Sequence, residues 1–147
     1  MRVLDWPPIW LLGCLAAAWG LSWAVPLGLF GAAGAWAGWG LIVAGLALMG
    51  LALLEMVRAR TTVIPRRTAS RLVTSGVFRL SRNPIYLGDA LVLLGACLIF
   101  NSALGLIFVP AFIWIITKRF IEGEEAGLAR EFGAEFDSWS AAVRRWV

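Results

Sequence analysis

Apolar residues run almost unbroken over 8–27, 36–56, 85–100 and 103–117, and polar residues are held to the gaps between them. A helix needs about 20 mostly apolar residues to cross a bilayer. The first two runs reach that length. The last two come to about 23 Å each as helix, against a hydrocarbon core about 30 Å thick. They are separated only by Asn101 and Ser102. They either tilt and borrow length from their flanks, or form a hairpin that does not fully cross. Pro7 and Pro8 open the first run, where proline is tolerated. A Gly/Ala-rich turn is expected over 28–35, before the second run. The pattern changes after Lys118. Ile121, Leu128, Phe132, Phe136, Trp139, Val143 and Trp146 recur near multiples of 3.6, with charged residues between them. This predicts one amphipathic helix, or two interrupted near Gly133, lying on the membrane face or on the rest of the protein.

The pattern defines an all-α integral membrane protein of one domain, 1–147, with about four transmembrane helices. The last two form the short hairpin, and a C-terminal amphipathic helix follows. The connector over 57–84 and the tail over 118–147 are polar. Composition agrees with this reading. Hydrophobic residues make up 61% of the chain and charged residues 15%, against roughly 45–50% and about 25% in soluble domains. The run from Ile9 to Phe30 is too long for the apolar core of a signal peptide, so it is read as a retained first span. Gly31, Gly38, Gly45 and Ala52 fall seven apart along the second span. Such a stripe of small residues lets a neighbouring helix approach closely.

The net charge of +4 sits beside the apolar runs. The connector holds Arg58, Arg60, Arg66, Arg67, Arg71, Arg79 and Arg82 and no acidic residue. Lys118, Arg119, Arg144 and Arg145 follow in the tail, while the turns near 28–35 and 101–102 carry no charge. Basic loops stay in the cytoplasm. Both termini and the connector are therefore expected on the cytoplasmic side, in a bacterial inner membrane. Trp6, Trp10, Trp36 and Trp39 lie near span ends, where aromatic belts form. This placement of charge argues for membrane lipids as partners and against nucleic acid, and no obligate protein partner is implied. The chain has no histidine, which excludes a His-ligated metal, a His general base and a Ser-His-Asp triad. Cys14 and Cys97 lie far apart inside apolar runs and read as small buried hydrophobes. No metal site is expected.

Two polar clusters flank the hairpin. One runs through Ser75, Gly76, Arg79, Arg82, Asn83, Pro84, Tyr86 and Gly88. The other holds Arg119, Glu122, Glu124 and Glu125, then Phe132-Gly133 and Arg144-Arg145-Trp146. Paired as a hairpin, the two helices bring both clusters to one membrane surface. Guanidinium groups grip carboxylates. Carboxylates accept from an ammonium or a ribose diol, and tyrosine offers a ring face and a hydroxyl. An equally available structural role is that these charges anchor helix ends and pair at the interface.

The order of the residues carries more than their types do. Ser75-Gly76-Val77-Phe78-Arg79-x-x-Arg82-Asn83-Pro84-x-Tyr86-x-Gly88 resembles a signature of the isoprenylcysteine carboxyl methyltransferase and phospholipid methyltransferase superfamily. So does Arg119-x4-Glu124-Glu125-x2-Leu128-x3-Phe132-Gly133-x2-Phe136-x2-Trp139-x3-Val143-x-Arg145-Trp146. Thr61-Thr62-Val63-Ile64-Pro65 is similar to a loop found upstream in bacterial members. The resemblance covers about residues 60–147. It implies an S-adenosylmethionine-dependent methyltransferase whose cofactor, without any metal, is held by Gly76, Arg82, Asn83, Pro84, Tyr86, Gly88, Glu124, Glu125, Arg145 and Trp146, with Arg144 helping to close the site. Asn83 stands where relatives often carry His, and Asn keeps a donor and an acceptor but cannot titrate.

The chemistry expected is methylation of a lipophilic or prenylated acceptor. A carboxylate acceptor is already ionised at neutral pH and needs orientation rather than a base, which suits a chain without histidine. A phospholipid amine or a small thiol is the alternative, with Glu124, Glu125 or Asp89 available as base. Arg119, Asp89 and Glu125 are the catalytic candidates. Asp89 equally reads as a charge placed near a helix N-terminus, Arg119 as the partner of Glu122 or Glu124, and Glu55 as the partner of Arg58. A non-enzymatic membrane scaffold is the reading of another class.

Overall fold

The computed structural model describes residues 6–61 and 71–147. The connector motif at 62–65, the arginines at 66 and 67, and the first five residues lie outside them. Helix α1 spans Pro7–Ala24 and α2 spans Gly31–Arg58. After a 3-10 turn at Gly76–Arg79 come α3, Pro84–Ile99, and a second 3-10 turn at Leu104–Ile107. Helix α4, Phe108–Ile116, leads through a π turn at Thr117–Ile121 into α5, Glu122–Phe132, and α6 follows at Ala134–Ala142. Three stretches are long and apolar enough to cross a membrane: Pro7–Ala24, Gly31–Arg58 and Leu104–Phe132. At 16 residues, α3 is shorter.

The sequence pattern placed one boundary differently. The expected turn over 28–35 is helical from Gly31 onward, because glycine and alanine with no charge or proline to stop them continue the helix that follows. The last apolar run and the start of the amphipathic tail form one continuous helical stretch to Phe132, since the Thr117-Lys118-Arg119 step changes polarity but contains no residue that breaks a helix. Hydropathy marks where apolar cover ends, and the backbone hydrogen-bond ladder ignores it. The break expected near Gly133 is present: its φ of +49° lies in the left-handed region that favours glycine and separates α5 from α6.

Packing is set by small residues. Helices α2 and α3 run antiparallel and form the most extensive helix pair. A Cβ on Gly38 would stand 2.5 Å from the Gly95 carbonyl oxygen, and one on Gly45 would stand 2.6 Å from that of Gly88. No real Cβ fits there, so the backbones meet at two points seven residues apart on each helix. Ala52, fully buried, extends the stripe, whereas Gly31 meets nothing within 4 Å. On its other side α3 joins α1 and α4 through a core of Ala18, Leu93, Cys97, Phe112, Ile116 and Phe120. Cys14 and Cys97 are free thiols within that core.

The turn between α3 and α4 is tied to the one between α1 and α2. The Phe30 amide donates to Asn101 Oδ1 at 2.8 Å, and Asn101 holds a left-handed φ of +53°. Asn tolerates that conformation better than alanine. Asn101→Ala is expected to lower stability by about 1–2 kcal/mol through the lost acceptor and the strained backbone. Asn101→Gly should recover the backbone share only, as read from thermal unfolding in detergent.

Candidate functional site

One end of the bundle gathers the start of α3, the end of α2, the π turn with α5, and the C-terminal residues. The other end carries Phe30 and Asn101 and, among the described residues, no charged residue. Pro84 opens α3 at its first position, where its missing N–H and fixed φ are harmless. This aims Asn83 and Arg82 back along the helix entry and Tyr86 into the first turn. Helix α5 carries Glu124 and Glu125 in its own first turn.

The two sequence clusters meet. Arg145 donates from Nε to Glu125 Oε1 at 3.1 Å and from Nη2 to Oε2 at 2.6 Å, a bidentate pair. Arg82 Nη1 stands 3.2 Å from the same Oε1. Glu125 is thus clamped between two guanidinium groups, with its side chain 13% exposed. Its hydrogen bonds raise the pKa of Arg145 above the ordinary arginine value, so that charge is permanent. Beside this clamp the Tyr86 hydroxyl donates to Glu124 Oε1 at 2.9 Å.

The last residues act as a strap. The Arg82 amide donates to the Arg144 carbonyl at 3.0 Å. Ser81 Oγ and Asn83 Nδ2 donate to the Arg145 carbonyl at 3.2 and 3.1 Å. Trp146 Nε1 donates to Thr117 Oγ1 at 3.3 Å, inside the π turn, and its ring packs against the core. Single π turns often mark functional positions. A further tie comes from Trp139 Nε1, which donates to the Phe78 carbonyl at 3.2 Å.

Arg82, Asn83, Tyr86, Glu124, Glu125, Arg145 and Trp146 are therefore brought to one place. The remaining candidates lie around it. Pro84 is buried at the start of α3. Gly88 faces α2, where its visible role is close packing: a Cβ would meet the Gly45 carbonyl oxygen at 2.7 Å. Gly76 has a left-handed φ of +55° and lies against the Glu55 carboxylate, 2.8 Å from where its Cβ would be. Ser75 Oγ donates to that carboxylate at 2.6 Å, and Arg58 pairs with it at 3.5 Å. The Arg58 pairing was expected from the i, i+3 spacing. Arg119 holds its guanidinium 5.2 Å from the centre of the Trp10 ring, within cation–π range. Glu122 is taken by Lys118 at 2.6 Å. Asp89 is 8% exposed, one turn beyond Tyr86 on α3, and among the described residues no hydrogen bond or ion pair reaches its carboxylate.

Sequence reasoning missed Ser81, Thr117 and Trp10. Ser81 is fully buried and supports the strap. Its signal was its place inside the first motif, among residues more obviously chemical. Thr117 and Trp10 carried none, since each owes its role to a contact distant in sequence.

The phospholipid methyltransferase family model matches residues 33–135, most of the chain. The chain belongs to this family. Membership implies a membrane methyltransferase. The matched segment takes in α2, α3, α4, α5 and both carboxylates of the 124–125 pair, while α1 and the strap over 143–147 lie outside it. No curated protein and no solved structure matches the chain.

Proposed function

We propose that this protein transfers a methyl group from S-adenosylmethionine to a lipid-borne acceptor at the cytoplasmic face of the membrane. The observation that carries the reading is the convergence of Arg82, Asn83, Tyr86, Glu124, Glu125 and Arg145, supplied by three separate parts of the chain. The donor set suits the cofactor. An α-amino acid end needs a cation and an anion side by side, and a ribose diol needs a carboxylate acceptor. Glu125 is already matched by two guanidinium groups, so it acts as the positioning residue that holds Arg82 and the strap. Glu124, which accepts from the Tyr86 hydroxyl, is the acceptor assigned to the ribose. When bound, the cofactor supplies an electrophilic methyl on a sulfonium. The chain's own task is to orient an acceptor along the line of displacement and exclude water, which is where such sites gain most of their rate. The strap, sealed by Trp146, closes one side.

The carboxyl group of a prenylated substrate is the acceptor that a chain without histidine handles most simply. A phospholipid amine is the second reading, and two observations favour it. The matching family is named for phospholipid methylation, and the buried Asp89 carboxylate one turn from Tyr86 would attract an ammonium and repel a carboxylate.

Calorimetry on detergent-purified protein tests the cofactor. The parent is expected to bind S-adenosylmethionine at one site. Tyr86→Phe, which loses a hydroxyl bonded to a carboxylate, is expected to bind about tenfold more weakly with its fold intact. A folded parent that takes up no S-adenosylmethionine would overturn the reading. Labelled methyl transfer to phosphatidylethanolamine or to a prenylcysteine then separates the acceptors. Asp89→Asn should suppress the amine reaction by about tenfold or more and spare the carboxyl reaction.

A further inference from the structure

A cavity lies beside Arg82, and neither Glu124 nor Tyr86 is among its lining residues. It has a volume of about 80 Å³, and its walls include Arg71, Arg82, Met56, Phe78, Leu128 and Trp139. By the room a buried water requires, this holds roughly five water-sized groups, the size of one tetrahedral oxyanion. Among the described residues its only charged walls are the two arginines, and no carboxylate lines it. Among the described residues Arg71 has no acidic partner. Its amide donates to Thr61 Oγ1 at 3.4 Å, which ties its backbone to the end of α2. Arg82 has spare donor capacity: its Nε is buried and lacks an acceptor, even though Nη1 reaches Glu125. Apart from Thr61, the rest of the described wall is apolar or aromatic. Met56 lies in the last turn of α2, and Trp139 is an amphipathic ring of the kind that sits at headgroup level.

We infer that this cavity binds a phosphate group, gripped between Arg71 and Arg82, with its organic part lying along Met56, Phe78 and Trp139. Phosphate is the anion that arginine pairs recognise through two parallel N–H···O bonds. Two guanidinium groups beside an apolar wall fit a phosphate that carries a hydrocarbon or glycerol portion better than a bare ion. The position at the end of a membrane-length helix makes a lipid headgroup the natural source, and free phosphate is the other. The inference does not depend on methyl transfer, because the site is defined by Arg71 and the cavity and is read by binding alone.

The test is native mass spectrometry of the full chain released from neutral detergent, with phosphatidylglycerol, diacylglycerol and inorganic phosphate offered separately. Phosphatidylglycerol is expected to be retained over diacylglycerol. Arg71→Gln is expected to reduce that retention about tenfold, the effect of losing one charge-assisted contact, while Arg71→Lys recovers part of it. Arg79→Gln serves as the control, since Arg79 is an exposed connector arginine outside the cavity. Retention of inorganic phosphate to the same degree, with the same loss in Arg71→Gln, would support the site and assign it to a free anion. Equal losses in Arg71→Gln and Arg79→Gln would overturn it in favour of a diffuse basic surface. So would retention of diacylglycerol as strong as that of phosphatidylglycerol. Arg71 is exposed, so a melting temperature equal to the parent's is expected in Arg71→Gln and keeps the comparison free of folding effects.

Discussion

Glu125→Ala is expected to lower stability by about 2–4 kcal/mol and to abolish S-adenosylmethionine binding in calorimetry. The cause is the clamp. Removing the carboxylate leaves Arg82 and Arg145 converging on an empty space, two like charges without the group that neutralised both. Breaking a buried ion pair from one side is far worse than never having had it, because the remaining charge stays desolvated. Arg145 is about a third exposed, which discounts the effect toward the lower end. The strap should loosen as well, since Arg145 presents its carbonyl to Ser81 and Asn83. Limited proteolysis should therefore cut near the C-terminus in the variant before it cuts the parent. Glu125→Gln, which keeps the shape and one acceptor, should fall between the two. An alanine variant with the parent's unfolding midpoint and an uncut tail would show that the clamp does not organise this end of the molecule.

The second large effect lies in the membrane rather than at the site. Gly45→Val is expected to destabilise the protein by up to about 3 kcal/mol, as overpacking does in a tight core, and to reduce methyl transfer about a hundredfold. The new Cβ would need the space of the Gly88 carbonyl oxygen, 2.6 Å away, and both are backbone-anchored. Helices α2 and α3 must then part. Tyr86 and Asn83 sit within two turns of Gly88, so they would shift against Glu124 and the strap. A misplacement of about 1 Å in a reacting geometry is enough for a loss of that size. Gly40→Ala on the same helix is the control. Nothing lies within 4 Å of its Cβ, and alanine favours helix by up to about 1 kcal/mol. Unfolding in detergent and single-turnover rates measure both variants. Equal behaviour of the two would mean that the close approach is not what locates the site.

These two regions were not equally legible in the sequence. Gly38, Gly45 and Ala52 announced a packed face by their spacing alone, because a period of seven on a helix can mark only one side. Their counterparts Gly88 and Gly95 were hidden, since Gly88 also belonged to a chemical motif and its packing role emerges only when α2 lies against it. The convergence of Arg82, Tyr86, Glu124 and Glu125 followed from two motifs flanking a hairpin. Which guanidinium takes which carboxylate did not follow, because that depends on the strap folding back, and no local pattern encodes a contact between residues 82 and 144. Arg119 shows the same limit. An aromatic ring from the first helix lies beneath its guanidinium, a contact that no local pattern foretold. That the last apolar run and the tail join in one helix was not legible either, because polarity and helicity stop at different residues.

The helix from Leu104 to Phe132 has a metric consequence. At 1.5 Å per residue its 29 residues measure about 43 Å, some 13 Å more than the hydrocarbon layer. Standing upright from the uncharged turn at one surface, it reaches the far edge of the oil after roughly 20 residues, which is where Glu124 and Glu125 begin. The length of this helix works as a depth gauge. In a bilayer crossed that way, Glu124 and Glu125 would come at the plane where lipid headgroups start, with the long Lys118 and Arg119 side chains reaching toward it.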